Sequence, residues 1–338
     1  MSFFTTYSKK LENLIAAVIF LITFVVYFST MAPTVSFWDT GEFIATSHIL
    51  GVPHPPGSPL FLLVGKFFSL IPLSSDIAFR VNIFSPIISA LTISLLFLIC
   101  NQFIDRLDPN NDNRFFKMWS SLTASLTFAF THSHWFNAVE TEVYAFSGFM
   151  TALVIYLIML WSKKINNSNH IIYLMLISYI IGLAIGLHLL NLLTIPFIGL
   201  IIYYTIGKLS AKNLFLTLSL SIIIFFGIQS FIIQGLPQIT LSIGLIGLVC
   251  LVFSLLIISG YAIKKNKALS SIFLSSVLLI IIGYSTYFAI FIRSGQNPNI
   301  DENNPETVEE AISYLNRDQY GQMTILPRKF DNLPSKIS

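Results

Sequence analysis

Nine apolar runs, each about as long as a bilayer is thick, decide what this chain can fold into. They fall near 11–31, 79–104, 116–133, 143–162, 171–188, 190–207, 213–233, 239–263 and 269–292. A helix needs roughly 20 apolar residues to cross the hydrocarbon core. It also satisfies its own backbone hydrogen bonds there, which an open strand cannot do. Composition agrees: of 338 residues, 54% are hydrophobic and 10% charged, against about a quarter charged in a soluble domain. A water-soluble enzyme, a nucleic-acid binder and a disordered scaffold are excluded together, and a net charge of +3 argues for no nucleic-acid partner. The expected architecture is an all-α polytopic membrane protein with about nine transmembrane helices. Cys100 and Cys250 lie inside apolar runs, so no structural disulfide is expected.

Loop charges set the orientation. With the N-terminus in the cytoplasm, the inside loops carry Lys9, Lys10, Arg106, Arg114, Lys117, Lys163, Lys164, Lys208, Lys212, Lys264, Lys265 and Lys267. The outside keeps Lys66, Arg80, Arg293 and four cations of the C-terminal tail, Arg317, Arg328, Lys329 and Lys336. Basic inside loops are the usual bias. Most carboxylates and five of the six histidines fall outside, so groups able to do acid–base chemistry near neutral pH gather on one face. The first run is too long for a signal-peptide core and reads as an anchor. Residues 1–292 form the expected membrane domain. Residues 293–338 form an outside tail, with one short helix at 305–316 opened by Pro305, and read as the start of a larger domain.

The first outside loop, 32–78, concentrates chemistry. Asp39 and Glu42 are three apart, so a helix over 39–50 puts both carboxylates on one face. Beside Phe37 and Trp38, which suit a membrane interface, they form a candidate acid–base site; the alternative is a solvated turn in which Asp39 caps a short helix. Residues 51–59 carry four prolines and cannot be helical; they predict a stiff loop presenting His54. Residues 60–72 are apolar but too few to span, and predict an interfacial or re-entrant helix with Lys66 reaching to the headgroups. Arg80 either binds lipid phosphate or anchors the second span.

The second outside loop, 131–144, carries His132, His134, Glu140 and Glu142. On a helix the two glutamates point about 200° apart, so at most one shares a site with Asp39. Two histidines and an acid suit a metal, but their spacing is not a helical ligand spacing, and the polar wall of a cavity is the preferred reading. His188 and Asn191 interrupt an apolar stretch and read as caps of an outside turn, with His188 a second-choice substrate contact. Arg293 ends the ninth run where a lipid phosphate would lie.

Four motifs carry a resemblance: Pro33–Ile44 (PTVSFWDTGEFI), His54-Pro-Pro-Gly57, Val139–Tyr144 (VETEVY) and Gly186–Asn191 (GLHLLN). The tail, with Asn303-Asn-Pro305 and Tyr314–Gly321, extends it. Together they resemble the bacterial "domain of unknown function 2723" family, which is related to the eukaryotic transmembrane protein 260 O-mannosyltransferases. The resemblance implies a GT-C-like helical bundle in the bacterial inner membrane, with interfacial helices in the first outside loop. It implies a hexosyltransferase that moves a hexose, mannose by preference, from a polyprenyl-phosphate sugar to Ser or Thr of an exported protein. It assigns the base to Asp39, with Glu42 in support; the Asp39-Thr-Gly-Glu42 spacing departs from the adjacent Asp–Glu pair of protein O-mannosyltransferases. His54, Glu140, Glu142 and His188 would line the sugar or acceptor, and Arg80, Lys66 and Arg293 would meet phosphate. No cofactor and no protein metal site are then required, and membrane lipid is the surrounding partner. Two rival readings stand beside this one: a lipid-linked sugar flippase, and a structural subunit of an export machine.

Overall fold

The computed structural model describes residues 2–107 and 113–321. Almost all of them are helical, and their β-structure is limited to one isolated bridge. The helices are α1 (Ser2–Thr30), α2 (Thr40–Ile49), α3 (Pro59–Leu70), α4 (Ile77–Asn82), α5 (Phe84–Leu107), α6 (Arg114–Ala129), α7 (His132–Ala138) and α8 (Val143–Lys163). They continue as α9 (Ile171–Ile185), α10 (Thr194–Ile206), α11 (Ala211–Gly227), α12 (Gly235–Lys264), α13 (Ala268–Tyr284), α14 (Phe288–Ser294) and α15 (Val308–Asn316). The protein is an all-α polytopic membrane protein.

Every apolar run falls in helix, but six helical segments among the described residues are long and apolar enough to cross a membrane, rather than nine. The runs at 116–133 and 171–188 become α6 and α9, of 16 and 15 residues, shorter than a perpendicular crossing needs. The runs at 213–233 and 239–263 join into one stretch, Ala211–Lys264, of 54 residues. At about 1.5 Å per residue such a stretch is more than twice the thickness of a hydrocarbon core. It is interrupted by a π-helical turn at Ile228–Ile233 and by Gly244, whose φ of 71° is not helical. Its first half packs on α10 and its second half on α13.

Close helix contact needs small residues. α9 and α13 form the most extensive helix pair, and they meet at Gly182 and Gly283. A Cβ on Gly182 would lie 2.3 Å from the Ile280 carbonyl oxygen, and one on Gly283 would lie 2.5 Å from the Leu183 nitrogen. Two glycines thus let the backbones touch, as membrane helices do where they associate tightly.

The two ends of the bundle differ. At one end Lys117 pairs with Glu12 at 2.8 Å and Asp105 at 2.7 Å, and Lys163 reaches Asp105 at 3.6 Å, linking α1, α5, α6 and α8. The segments expected outside gather at the other end. The Ala32 amide donates to the Val139 carbonyl, the Leu60 amide to Gly186, and the Ser58 hydroxyl to Leu187. Val52 pairs in parallel with Asp301.

Local signals explain most helix boundaries at this end. α3 keeps Phe61, Leu62, Gly65 and Ser69 buried and exposes Leu63, Phe67 and Leu70, which suits a short helix lying at an interface. α15 begins later than Pro305, because Thr307 and Glu310 form a reciprocal capping box that satisfies two orphan amides at once.

Candidate functional site

The site is built on the start of α2. Asp39 holds the N-cap position, yet its side chain makes no capping hydrogen bond, so its carboxylate is left to face outward, with the side chain 57% exposed. The two aromatic residues before it, Phe37 and Trp38, are largely exposed. One turn into α2, Glu42 points to the proline-rich loop. Its Oε1 accepts from the His54 backbone amide at 2.6 Å and its Oε2 meets His54 Nδ1 at 2.7 Å. The other imidazole nitrogen, Nε2, lies 3.9 Å from Asp39 Oδ2. The i, i+3 spacing therefore does bring both carboxylates to one histidine, and the expected rigid loop does present it. Potential ligand atoms of Asp39, Glu42 and His54 all lie within 4.8 Å of one another.

The tail fixes that loop. Val52 donates to the Ile300 carbonyl and accepts from the Glu302 amide. Tyr314 donates its hydroxyl to the Pro53 carbonyl at 2.5 Å. Gly57, at φ +90°, faces the Tyr314 hydroxyl, which an added Cβ would meet at 2.5 Å; only glycine fits there. A cis peptide bond joins Pro55 and Pro56. Beneath the loop, Phe43 supports the His54 ring at 5.7 Å and continues into Phe61, Phe84 and Phe146.

Two more carboxylates belong to the cluster. Glu302, from the tail, lies close enough to Glu42 for the two carboxyl groups to shift each other. Glu142, 6% exposed, is the second-loop glutamate that Asp39 acts on most strongly. Glu140 turns the other way and accepts the Ser36 hydroxyl at 2.7 Å through Oε2, while its Oε1 is buried without a partner. Glu142 is thus the glutamate on which the Asp39 charge acts, while Glu140 ties down the chain leading to Asp39 through Ser36. Residues 140–142 are not helical, so it is the extended backbone that separates them.

The local electrostatics follow from this crowding. Burial pushes the Glu142 carboxyl up to about 7, and the Asp39 charge adds to the effect. Burial also raises Glu302, helped by the nearby Glu42 charge, and raises Glu140 against the Ser36 bond. Burial opposes ionisation of Glu42, but the hydrogen bonds from His54 outweigh it and hold Glu42 low. The bond to Glu42 raises His54, against burial.

The three cations expected near phosphate engage backbone carbonyls. Arg293 donates from Nε to the Leu50 carbonyl at 2.7 Å and from Nη2 to Ile49 at 3.2 Å, and its Nη1 bonds the Gln296 side chain. Arg80 donates to the carbonyls of Ser74 at 2.6 Å and Ser69 at 3.1 Å. Lys66 donates to the His48 carbonyl at 2.5 Å. All three satisfy the orphan carbonyls that helix ends leave behind. Of the tail cations, Arg328, Lys329 and Lys336 lie outside the described residues. Arg317 is exposed, and its charge acts on His188 and Tyr287. His188 caps the turn after α9, as expected, accepting from the Leu190 amide at 3.2 Å, and stands against Tyr144 at 5.3 Å. Asn191 is buried and bonds Thr151 and Ser147.

His132 and His134 do not converge. His132 stacks on Phe136, while His134 turns inward against Tyr27 and Phe128, so this loop forms no metal cluster among the described residues. Sequence reasoning missed Glu302 and Asn82. Fully buried Asn82 donates to the Ala32 carbonyl and to the Thr34 carbonyl, both at 2.9 Å, and accepts the Thr141 hydroxyl. An asparagine beside the Arg80 helix turn was a visible polar exception; nothing local marked Glu302.

Residues 39–211 match the model of the family described as "Protein O-mannosyl-transferase TMEM260 N-terminal domain". The chain belongs to this family. The match begins at Asp39 and takes in Glu42, His54, Glu140 and Glu142; Glu302 lies beyond it. A protein O-mannosyl-transferase tmem260 of Dictyostelium discoideum is 28% identical over 203 residues, covering 56% of this chain and 23% of that protein. The Mus musculus protein of the same description is 32% identical over 117 residues, covering 34% of this chain and 15% of its own length. The matched region thus spans less than a quarter of these relatives. No solved structure matches.

Proposed function

We propose that this chain is a membrane-embedded hexosyltransferase that moves mannose from a polyprenyl-phosphate donor to a Ser or Thr hydroxyl of an exported protein. The observation that carries the reading is the Asp39–His54–Glu42 constellation, held by family-matched residues at the end of the bundle where the outside loops meet. The printed descriptions of the relatives supply the reaction class. In this reading the bundle is of GT-C type, lies in a bacterial plasma membrane with its N-terminus in the cytoplasm, and works on the extracytoplasmic face.

A hydroxyl is a weak nucleophile, so a carboxylate must take its proton as it attacks. Asp39 is more open than Glu42 and is uncommitted to a helix cap. The acceptor oxygen bonds to the anomeric carbon, its proton passes to Asp39, and the bond from that carbon to the donor phosphate breaks. Polyprenyl phosphate leaves with the bonding electrons. The sugar passes through an oxocarbenium-like state, which the ring of carboxylates stabilises. Attack opposite the phosphate inverts the anomeric centre. Glu42 holds His54 in place, and both border the acceptor or sugar.

The test is Asp39→Asn in the full chain, assayed with a polyprenyl-phosphate mannose and a Ser/Thr peptide. The reading expects a loss of roughly 10²-fold or more in turnover, the usual scale for a general base. A folded variant that transfers mannose at the parental rate overturns the assignment of the base. Flipping of the lipid-linked sugar with no covalent product overturns the reaction class.

A further inference from the structure

We propose that Asp39 and His54 hold a divalent cation, with Glu42 as the outer carboxylate that orients the imidazole, and that this ion meets the donor phosphate. The proposal deepens the transferase reading, but the cation site stands on its own geometry.

The arrangement of His54 is the first argument. Nδ1 is fixed at 2.7 Å from Glu42 Oε2, and the adjoining backbone amide is fixed to Oε1 of the same carboxylate. With the Nδ1 proton donated to Glu42, the Nε2 lone pair points away from Glu42. It faces Asp39 Oδ2 at 3.9 Å, too far for a hydrogen bond and wide enough for an ion about 2 Å from each atom. A metal-bound histidine characteristically donates its other ring proton to a carboxylate, which sets tautomer and ring angle. The loop adds rigidity: Tyr314, Val52 and the Gly57 turn fix the chain that carries His54.

The charge balance is the second argument. Glu142 is more than nine-tenths buried, and the charges of Asp39 and His54 act on it. Glu302, from the tail, adds its charge beside Glu42. Four carboxyl groups thus act electrostatically on one imidazole. The basic side chains nearest in sequence are all engaged elsewhere: Lys66, Arg80 and Arg293 each satisfy backbone carbonyls. A leaving phosphate brings further negative charge into this setting. A cation with open positions supplies what the side chains do not, and the Mg²⁺/Mn²⁺ class commonly binds through one or two protein ligands plus substrate phosphate. One oxygen of Asp39 suffices for the ion, which leaves the other to receive the acceptor proton.

The probe is Mn²⁺, which accepts mixed oxygen and nitrogen ligands, added to the detergent-purified full chain and followed by electron paramagnetic resonance. The expected result is saturable binding of one ion per chain, with an imidazole ¹⁴N coupling in the echo-modulation spectrum. His54→Gln should abolish that coupling. Asp39→Asn should weaken binding by 10-fold or more, and Glu42→Gln by roughly 10- to 100-fold, the range for outer carboxylates. Glu309→Gln on exposed α15 should leave binding unchanged. Wild-type protein that binds no Mn²⁺, or binds it without ¹⁴N coupling, overturns the proposal, and this outcome does not depend on any variant folding. Binding undiminished in folded Asp39→Asn overturns it as well. Mn²⁺ bound as expected without mannosyl transfer would sink the transferase reading alone. Transfer that persists in a chelator, by protein that binds no Mn²⁺, would sink the cation site alone.

Discussion

Tyr314 donates its hydroxyl to the Pro53 carbonyl at 2.5 Å, joining residues 261 positions apart. The tyrosine is fully buried and the carbonyl belongs to the loop that presents His54. The tail is therefore part of the site's frame, and it also contributes Glu302.

Tyr314→Phe tests that frame. It removes the hydroxyl and leaves a buried carbonyl unpaired, at a cost of about 1–3 kcal/mol. Thermal unfolding in detergent should fall by several degrees. Gly57→Ala should cost more than the phenylalanine change, since it strains a φ of +90° and drives a methyl into the same hydroxyl. Equal stability of Gly57→Ala and wild type contradicts this account of the loop.

Arg293 separates two roles. The structure gives its guanidinium to the carbonyls of Leu50 and Ile49, at the left-handed end of α2. Arg293→Lys keeps the charge but loses the two-pronged geometry, so stability should fall by about 1–3 kcal/mol, the scale of hydrogen bonds made by a charged group. KM for the lipid donor should hardly move. A variant of unchanged stability with a strongly raised KM would return Arg293 to the phosphate.

Much of this was readable from residue patterns, and the limits have physical causes. The apolar runs gave the helices because lipid leaves the backbone few alternatives. Spacing alone placed Asp39 and Glu42 together, and proline count alone stiffened the His54 loop. The number of crossings was less legible: the π-helical turn before Gln234 and the kink at Gly244 carry no hydropathy signal. Glu302 was invisible because it reaches Glu42 through a bridge between Val52 and Asp301, and such long-range pairing leaves no periodicity in the chain. The cations hid a second role for a related reason. Lys66, Arg80 and Arg293 each lie where a helix end exposes carbonyls, which a list of charges does not show.

Acid sensitivity should come from His134. Burial against Tyr27 and Phe128 holds its pKa down to about 4, against a smaller opposing effect of the Ser89 backbone. In the unfolded chain the ordinary value is 6.5, so between these limits the unfolded state binds more protons and stability rises with pH. The contribution is fully present above about pH 6.5 and is lost as pH falls through 4. It reaches about 3 kcal/mol at one pH unit per 1.36 kcal/mol. Unfolding measured across this range should show the slope in wild type and a shallower one in His134→Phe. Parallel slopes would assign the acid sensitivity elsewhere.

Glu302 should act on Glu42 by hydrogen bonding rather than by charge. Glu302→Gln keeps a side chain able to donate to the nearby Glu42 carboxylate, whereas Glu302→Ala removes it and leaves Glu42 to His54 alone. Transfer activity should therefore survive in the glutamine variant within a few-fold and fall about 10-fold in the alanine variant, a loss near 1.4 kcal/mol. If both variants lose activity equally, the negative charge of Glu302 is what matters.

Asn82 makes the sharpest structural prediction because its amide works in both directions. Its nitrogen donates to the Ala32 and Thr34 carbonyls, and its oxygen accepts from Thr141. It thereby ties the segment entering the Asp39 loop to the segment entering Glu142, next to the Ser36–Glu140 bond. Asn82→Ala abandons three partners in a fully buried position and should cost about 2–4 kcal/mol, at roughly 1 kcal/mol or more for each buried group left unpaired. Asn82→Asp is nearly isosteric but cannot donate when ionised, and it would set a buried negative charge against two carbonyl oxygens. It should be less stable than the alanine variant at pH 7.5 and recover part of the difference at pH 5, where protonation restores one donor. Limited chymotryptic digestion at exposed Phe37 and Trp38 should quicken in the same order. An aspartate variant as stable and as protease-resistant as wild type would show that the amide does not hold this loop.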